Sequence, residues 1–216
     1  MTVLAIDTSG EHAGLALLEG DRLTESAIHS PDGHSYRLLG EIQTLLRRAG
    51  TRLEAVDIFA AAAGPGSFTG VRVALSAAKG FAMALGKPMA AVSNLRALAW
   101  FGERPLRAVA VDARRGDSYV ALYDARLQLV RPEVVAKLET WLGTLSAAGA
   151  PEDIEIITGE AAHLAGRVAG IPLRVIEPGS LARAVAHLAS GQAVDPALTD
   201  ANYVRRADAE MNWVDR

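Results

Sequence analysis

Short, almost wholly apolar runs alternate along this chain with longer amphipathic ones, and the alternation predicts its elements. Residues 3–6 are apolar throughout and read as a strand covered on both faces. Residues 13–18 and 23–29 follow, separated by Glu19-Gly20-Asp21, so the chain opens on a three-stranded meander. Beyond the breaker cluster Ser30-Pro31-Asp32-Gly33, the spacing predicts a helix over 35–49. Leu38, Ile42, Leu45 and Ala49 lie on one side of it, Leu39 and Leu46 lie beside them, and Gly50 is the stop. Gly40, in its middle, costs roughly 1 kcal/mol against alanine and suits a close contact. A second buried strand is expected over 56–63, then a helix with its body over 71–85 that stops at Gly86 and Pro88. A strand over 89–92 and a helix over 94–101 complete the unit.

After Gly102-Glu103-Arg104-Pro105 the pattern starts again. Val109-Ala110-Val111-Asp112-Ala113 echoes Leu4-Ala5-Ile6-Asp7-Thr8, and strands over 117–123 and 128–134 follow it. A helix over 138–148, a strand over 154–158, a helix over 160–168, a strand over 173–176 and a helix over 181–190 make the second copy. Two β-β-β-α-β-α units in tandem predict a duplicated α/β fold of two lobes with a cleft between them. The first lobe is expected over 1–103, joined by a tail over 196–216 that packs back across it, and the second over 104–195.

Between the second strand and the long helix stands Gly64-Pro65-Gly66-Ser67-Phe68-Thr69-Gly70-Val71-Arg72. A glycine-rich turn from a strand into a helix N-terminus can hold an anion, because free amides and the helix dipole point the same way. Asp7 and Thr8, at a strand's carboxyl end, would join Gly66 and Ser67 in such a phosphate or nucleotide site. The sharper motifs fail on the letters. A Walker loop needs Gly-Lys-Ser/Thr where Gly70-Val71-Arg72 stands, a nucleophile elbow around Ser67 needs glycines at Pro65 and Thr69, and the glycines at 64, 66 and 70 miss the dinucleotide spacing. The other reading is a tight turn that delivers the helix at a fixed angle, with Ser67 or Thr69 as its cap.

On that helix Arg72, Ser76 and Lys79 form one polar stripe, and Gly70, Ala74, Ala78 and Ala82 form a ridge of small side chains. One face for the fold and one for a neighbour is one reading. A helix enclosed in its own domain is the other.

Composition narrows the function classes. In 216 residues, half of them hydrophobic, the net charge is -3 and the pI about 6.0, which argues against an autonomous nucleic-acid binder. The absence of cysteine removes disulfides, thiolate metal sites and cysteine catalysis, and suits a reducing cytoplasm. The start of the chain lacks the basic lead of a signal peptide, and no apolar run is expected to reach the length of a membrane span. No two of the 5 histidines stand four apart, so none is assigned to a metal. Asp7 alone, at a strand end, suits a cap or turn.

Ala5-Ile6-Asp7-Thr8-Ser9, His34-Ser35, the 64–72 stretch, Lys79-Gly80-Phe81-Ala82, and Asp112-Ala113-Arg114-Arg115 with Tyr119 together resemble the TsaB family, also called YeaZ, in order over the whole chain. The resemblance implies the duplicated actin, hexokinase and Hsp70-like (ribonuclease H-like) fold. It implies a non-catalytic cytoplasmic subunit required to form threonylcarbamoyladenosine in tRNA. A TsaD-type subunit holds the metal and transfers the group, and a TsaE-type ATPase joins the pair. It also implies a homodimer when the partner is missing, tRNA met only through the complex, and no membrane.

The implied docking surface is the pair of helices over 35–49 and 71–85, through Ser35, Leu38, Leu39, Ile42, Leu46, Gly70, Val71, Ala74, Leu75, Ala78 and Ala82. Arg72 and Lys79 stand either at its rim or in a solvated stripe. No catalytic residue, metal ligand or tightly bound cofactor is implied, and ATP or ADP is expected only in the assembled complex. Thr158-Gly159-Glu160 has one glycine where kinases of this fold offer two to adenosine. The alternative functions are a small-molecule kinase or ATPase working through Asp7, Thr8 and the 64–70 loop, and a peptidase, for which no nucleophile with a base is visible. Arg47-Arg48 and Arg114-Arg115 are basic pairs able to meet RNA.

Overall fold

A computed structural model of the chain describes residues 1–28, 35–159, 164, 171–175 and 180–204, with the backbone alone at 35 and 36. The breaker cluster over 30–33, His34, the expected helix over 160–168 apart from Leu164, and the tail beyond 204 lie outside the described residues.

Among the described residues, ten strands form two sheets. In the first, β1 (Thr2–Asp7), β2 (Ala13–Glu19), β3 (Arg22–Ile28), β4 (Ile58–Ala62) and β5 (Met89–Val92) take the order β3-β2-β1-β4-β5. In the second, β6 (Leu106–Asp112), β7 (Ser118–Asp124), β8 (Leu129–Ala136), β9 (Ile154–Thr158) and β10 (Leu173–Val175) take the order β8-β7-β6-β9-β10. One order repeats the other, strand for strand. In each sheet the first three strands are antiparallel and the last two run parallel to the first. The expected duplication is present, and Asp112 ends β6 as Asp7 ends β1.

Helices α1 (Ser35–Ala49) and α2 (Phe68–Leu85) cover one face of the first sheet. Leu38, Ile42 and Leu45 of α1 and Ala74, Ala78 and Ala82 of α2 pack there on Leu4, Ile6, Leu17, Phe59 and Ala61. Alanine on alanine lets α2 lie close to β4, which is why its smallest side chains point inward. Ser67 caps the helix, its Oγ accepting the Gly70 N–H at 3.3 Å, so α2 begins three residues before the expected body. Gly86, at φ 63°, ends it in the left-handed conformation that glycine adopts without strain. With 18 residues, α2 is by length and composition alone apolar enough to cross a membrane, against the expectation from the sequence.

Two short helices change places between the sheets. α3 (Asn94–Ala99) follows β5, yet Leu95, Leu98 and Ala99 pack on Val109, Ala121, Tyr123 and Ile157 of the second sheet. α5 (Ala182–Leu188) follows β10, yet Ala182, Val185 and Ala186 pack on Val3, Ala5, Ala16 and Ala60 of the first. A lobe boundary at 195 therefore falls too late, because residues 181–195 complete the first lobe's second face. The helix expected over 138–148 is α4 (Leu138–Leu142) followed by a 3-10 turn at Leu145–Ala147, with Gly143 at the break.

As far as 204, the tail lies against the first lobe. Lys79 Nζ donates to the Thr199 carbonyl at 3.2 Å, Arg72 Nε to Tyr203 OH at 3.2 Å, and the Asn202 N–H to the Ala63 carbonyl at 2.7 Å. Arg72 and Lys79, two members of the polar stripe of α2, thus hold the tail, while Ser76 between them stays exposed.

Candidate functional site

The carboxyl ends of β1 and β4 meet at the mouth of the cleft, and the structure brings Asp7, Thr8, Gly66 and Ser67 to that corner. Thr8 Oγ1 donates to the Gly70 carbonyl at 2.6 Å, and the Ser67 N–H donates to the Ser9 carbonyl at 2.7 Å. A Cβ on Gly70 would stand 1.9 Å from the Thr8 carbonyl oxygen, and one on Gly66 would stand 2.6 Å from that of Ser9. The end of β1 occupies the space that these glycines leave open. Their absence of side chains is explained by chain crossing, the turn-delivering reading of the motif.

Asp7 is 2% exposed, and both its carboxylate oxygens are engaged. Oδ1 accepts the Ser9 N–H at 2.9 Å and the Ser9 hydroxyl at 2.6 Å, while Oδ2 accepts the Leu181 N–H at 2.6 Å at the start of α5. Asn94, which the sequence reading passed over, completes the corner. Its Oδ1 accepts the Gly64 N–H at 3.0 Å, and its Nδ2 donates to Ser9 Oγ at 2.7 Å and to the Pro65 carbonyl at 3.0 Å. The one signal for it was a polar side chain at the start of a helix that is apolar elsewhere except at Arg96. A cavity of about 510 Å³ opens in front of this corner, lined among others by Asp7, Ser67, Asn94, Asp112, Arg114 and Gly159.

Glu133 on β8 ties the lobes together behind it. Its carboxylate accepts the hydroxyls of Ser93 and Tyr123, and also the Asn202 Nδ2 at 2.5 Å. Burial, and then the Glu133 charge, push the Tyr123 hydroxyl well above the usual phenol range, so it stays a donor.

On the helix pair, Leu38, Ile42, Leu46, Val71, Ala74, Ala78 and Ala82 are all buried in the lobe's own core. They are corrected from partner-facing to core-facing residues, since α1 and α2 turn their most regular apolar stripe toward the sheet. Leu75 is half-buried and packed against the same core, and Gly70 is held against β1. The side chain of Ser35 lies outside what the structure describes. Of the expected set, Leu39 stays open, at 59% exposure. The outward face of α2 carries Ser76, Gly80, Met83 and Ala84, and that of α1 carries Leu39, Gly40 and Gln43. Among these, Met83 is 64% exposed, and a Cβ on Gly40 or Gly80 would meet nothing within 4 Å.

This arrangement has known counterparts. A family model described as TsaD: tRNA N6-adenosine threonylcarbamoyltransferase matches residues 28–168. The tRNA threonylcarbamoyladenosine biosynthesis protein TsaB of Bacillus subtilis (strain 168) is 36% identical over 157 residues, 70% of this chain and 69% of that one. The chain belongs to the TsaB (YeaZ) family. The TsaB of Escherichia coli (strain K12) is 37% identical over 127 residues, 57% of this chain and 55% of that protein. YeaZ from Pseudomonas aeruginosa superposes with a TM-score of 0.75 at 30% identity, covering 94% of this chain and 99% of that one. As the family implies, the fold is the duplicated actin-like, ribonuclease H-like α/β architecture. In this TsaB-family chain, the cleft corner that faces the second lobe is braced by its own side chains.

Proposed function

We propose that this chain is an accessory subunit in the formation of threonylcarbamoyladenosine in tRNA, pairing through the outward face of α1 and α2 with a TsaD-type transferase. The observation that carries the reading is the pair of helix-interior glycines, Gly40 and Gly80, each facing open space beside an exposed Leu39 or Met83. An exposed glycine costs its helix about 1 kcal/mol against alanine. Among the described residues no contact is gained in return, whereas a second helix crossing there can approach closely. The engagement of both Asp7 oxygens supports the same division of labour over a kinase or ATPase working through Asp7, since that carboxylate already holds Ser9 and Leu181. Recruitment of a TsaE-type ATPase, and self-pairing through the same face when the transferase is missing, extend the proposal, as does tRNA met through the complex.

Binding to a TsaD-type protein, followed by reconstitution of tRNA modification, tests the reading. Ala74→Arg and Ala78→Arg would unfold the lobe, because both side chains are fully buried. Leu39→Arg and Met83→Arg change only exposed positions. Loss of pairing and of modification in these variants, with the far-ultraviolet spectrum unchanged, is the expected result. Pairing at wild-type strength in both would refute the docking face.

A further inference from the structure

Residues 199–203 of the tail reach from α2 to the second lobe. Lys79 and Arg72 hold the tail at Thr199 and Tyr203, and between these two anchors Asn202 crosses to Glu133 on β8. The Asn202 Nδ2 donates to Glu133 Oε2 at 2.5 Å and to the Gly64 carbonyl at 3.4 Å, where the Asn94 N–H also arrives at 2.8 Å. One side chain thus joins the second lobe to the 64–66 turn and, through the tail, to α2. The hydroxyls of Ser93 and Tyr123 both fall on Glu133 Oε1, so Oε2 is the oxygen held by the tail.

Beside this junction stands Arg96 of α3. Its Nε is buried and, among the described residues, has no hydrogen-bond partner. A buried cationic donor without an acceptor costs free energy in the arrangement that leaves it so. The Arg96 backbone N–H donates at 3.4 Å to Ser93 Oγ, the same hydroxyl that donates to Glu133. The Arg96 charge also reaches Tyr123, where it opposes burial and the Glu133 charge.

We propose that the tail is a strap with two positions, in which Asn202 and Arg96 alternate as the partner of Glu133 Oε2. With the strap down, Asn202 bolts the lobes at the angle of this structure. With it lifted, the Arg96 guanidinium takes the vacated oxygen, the Gly64 carbonyl keeps Asn94, and the cleft opens. A half-buried carboxylate loses far less when a charged donor replaces an amide than when nothing does, which keeps the lifted position accessible. Because the strap is anchored on α2, any contact that draws Lys79 or Arg72 away changes the angle between the lobes. The strap does not depend on the docking face, which only names one occasion for such a contact.

Pulsed electron spin resonance on the full chain, with no second protein present, tests the strap. Nitroxides at Asp21→Cys and Arg126→Cys, in exposed turns of the first and second sheets, read the distance between the lobes, and the chain has no cysteine of its own. Dilution with unlabelled chain confines the reading to one molecule. A single narrow distance is expected in this background, and Asn202→Ala should widen its distribution about twofold. Asn202→Asp, which sets one carboxylate against another, should widen it at least as much, and circular dichroism checks that each variant is folded. Arg72→Ala combined with Lys79→Ala changes α2 alone, yet should widen the distribution too, a response that a purely local contact would not give. Adding Arg96→Gln to Asn202→Ala should widen it further. Leu198→Ala, at an exposed position of the tail, is the control and should change nothing. The proposal is overturned if both Asn202 variants keep the starting distribution, if the Arg72 and Lys79 pair keeps it, or if Arg96→Gln adds nothing to Asn202→Ala. With the transferase absent, failure here leaves the docking face standing, and failure of docking leaves the strap standing.

Discussion

The Leu181 N–H donates to Asp7 Oδ2 at 2.6 Å, a hydrogen bond between residues 174 positions apart. It joins the carboxyl end of the first strand to the start of the last described helix, and so closes the first lobe around its sheet. An aspartate that reads as a ligand for phosphate or a cap is a clasp between the two ends of the chain.

Removing that clasp should cost stability. Asp7→Ala leaves the Ser9 and Leu181 N–H groups buried and without their acceptor, and is expected to destabilise the protein by about 2–3 kcal/mol in urea unfolding. Asp7→Asn keeps one acceptor oxygen and should cost about half as much. A loss of less than about 0.5 kcal/mol for Asp7→Ala would show that the clasp contributes little.

Two glycines on α2 should respond in opposite directions. Gly70→Ala drives a methyl group into the Thr8 carbonyl and is expected to destabilise by at least about 3 kcal/mol. Gly80→Ala meets open space and should stabilise the isolated chain by up to about 1 kcal/mol. If Gly80 is a crossing point with a partner, the same variant should bind that partner more weakly while melting at a higher temperature.

Lys79 should govern how firmly the tail is held. With its ammonium gone in Lys79→Ala, the Thr199 carbonyl loses its donor, and amide exchange over 196–204 should quicken about fivefold. Exchange in β1 and β4 should not change. Equal protection of the tail in both proteins would assign its anchoring to Arg72 and Asn202 alone.

Acid should weaken the second lobe through Glu155. This side chain, 2% exposed on β9, accepts the N–H groups of Glu103 and Arg104 and pairs with Arg174 Nε at 2.8 Å. Burial alone would raise its pKa, but the Arg104 N–H, the Arg174 guanidinium and the Glu103 N–H outweigh burial and hold the carboxyl below its ordinary value. A lowered folded-state pKa means that the contribution is complete above the unfolded value of about 4.3 and is lost as pH falls through the lowered one. Glu155→Gln should therefore be less stable than wild type by about 2 kcal/mol at pH 7, with the gap closing below about pH 4. A gap that does not change with pH would show that packing, not charge, is what the variant removes.

Much of the fold was legible in the letters, and the errors share a cause. The echo of Leu4-Ala5-Ile6-Asp7 in Val109-Ala110-Val111-Asp112 and the breaker residues located both sheets, because apolar runs and turn residues act locally. The exchange of α3 and α5 between sheets was not legible. A short alanine-rich helix carries no mark of which neighbouring sheet it will cover. The candidate site divided in the same way. Periodicity identified the ridge Ala74, Ala78 and Ala82 and the stripe Arg72 and Lys79, but a period does not say which face is inward. The alanines proved to face β4, and the two cations proved to hold the tail.

By itself, then, the order of residues determined the duplicated strand and helix pattern, the glycine-proline turn, a cap at Ser67 or Thr69 and the family, all set by interactions within a few positions or by motifs read in line. Tertiary structure alone decided that Asp7 binds Leu181, that Gly70 is filled by Thr8, and that Leu39 and Met83 face outward while their neighbours are enclosed. Those outcomes depend on segments distant in sequence meeting in space. The burial of a side chain, and the partners left to a polar one, exist only once the sheets and helices have closed on one another.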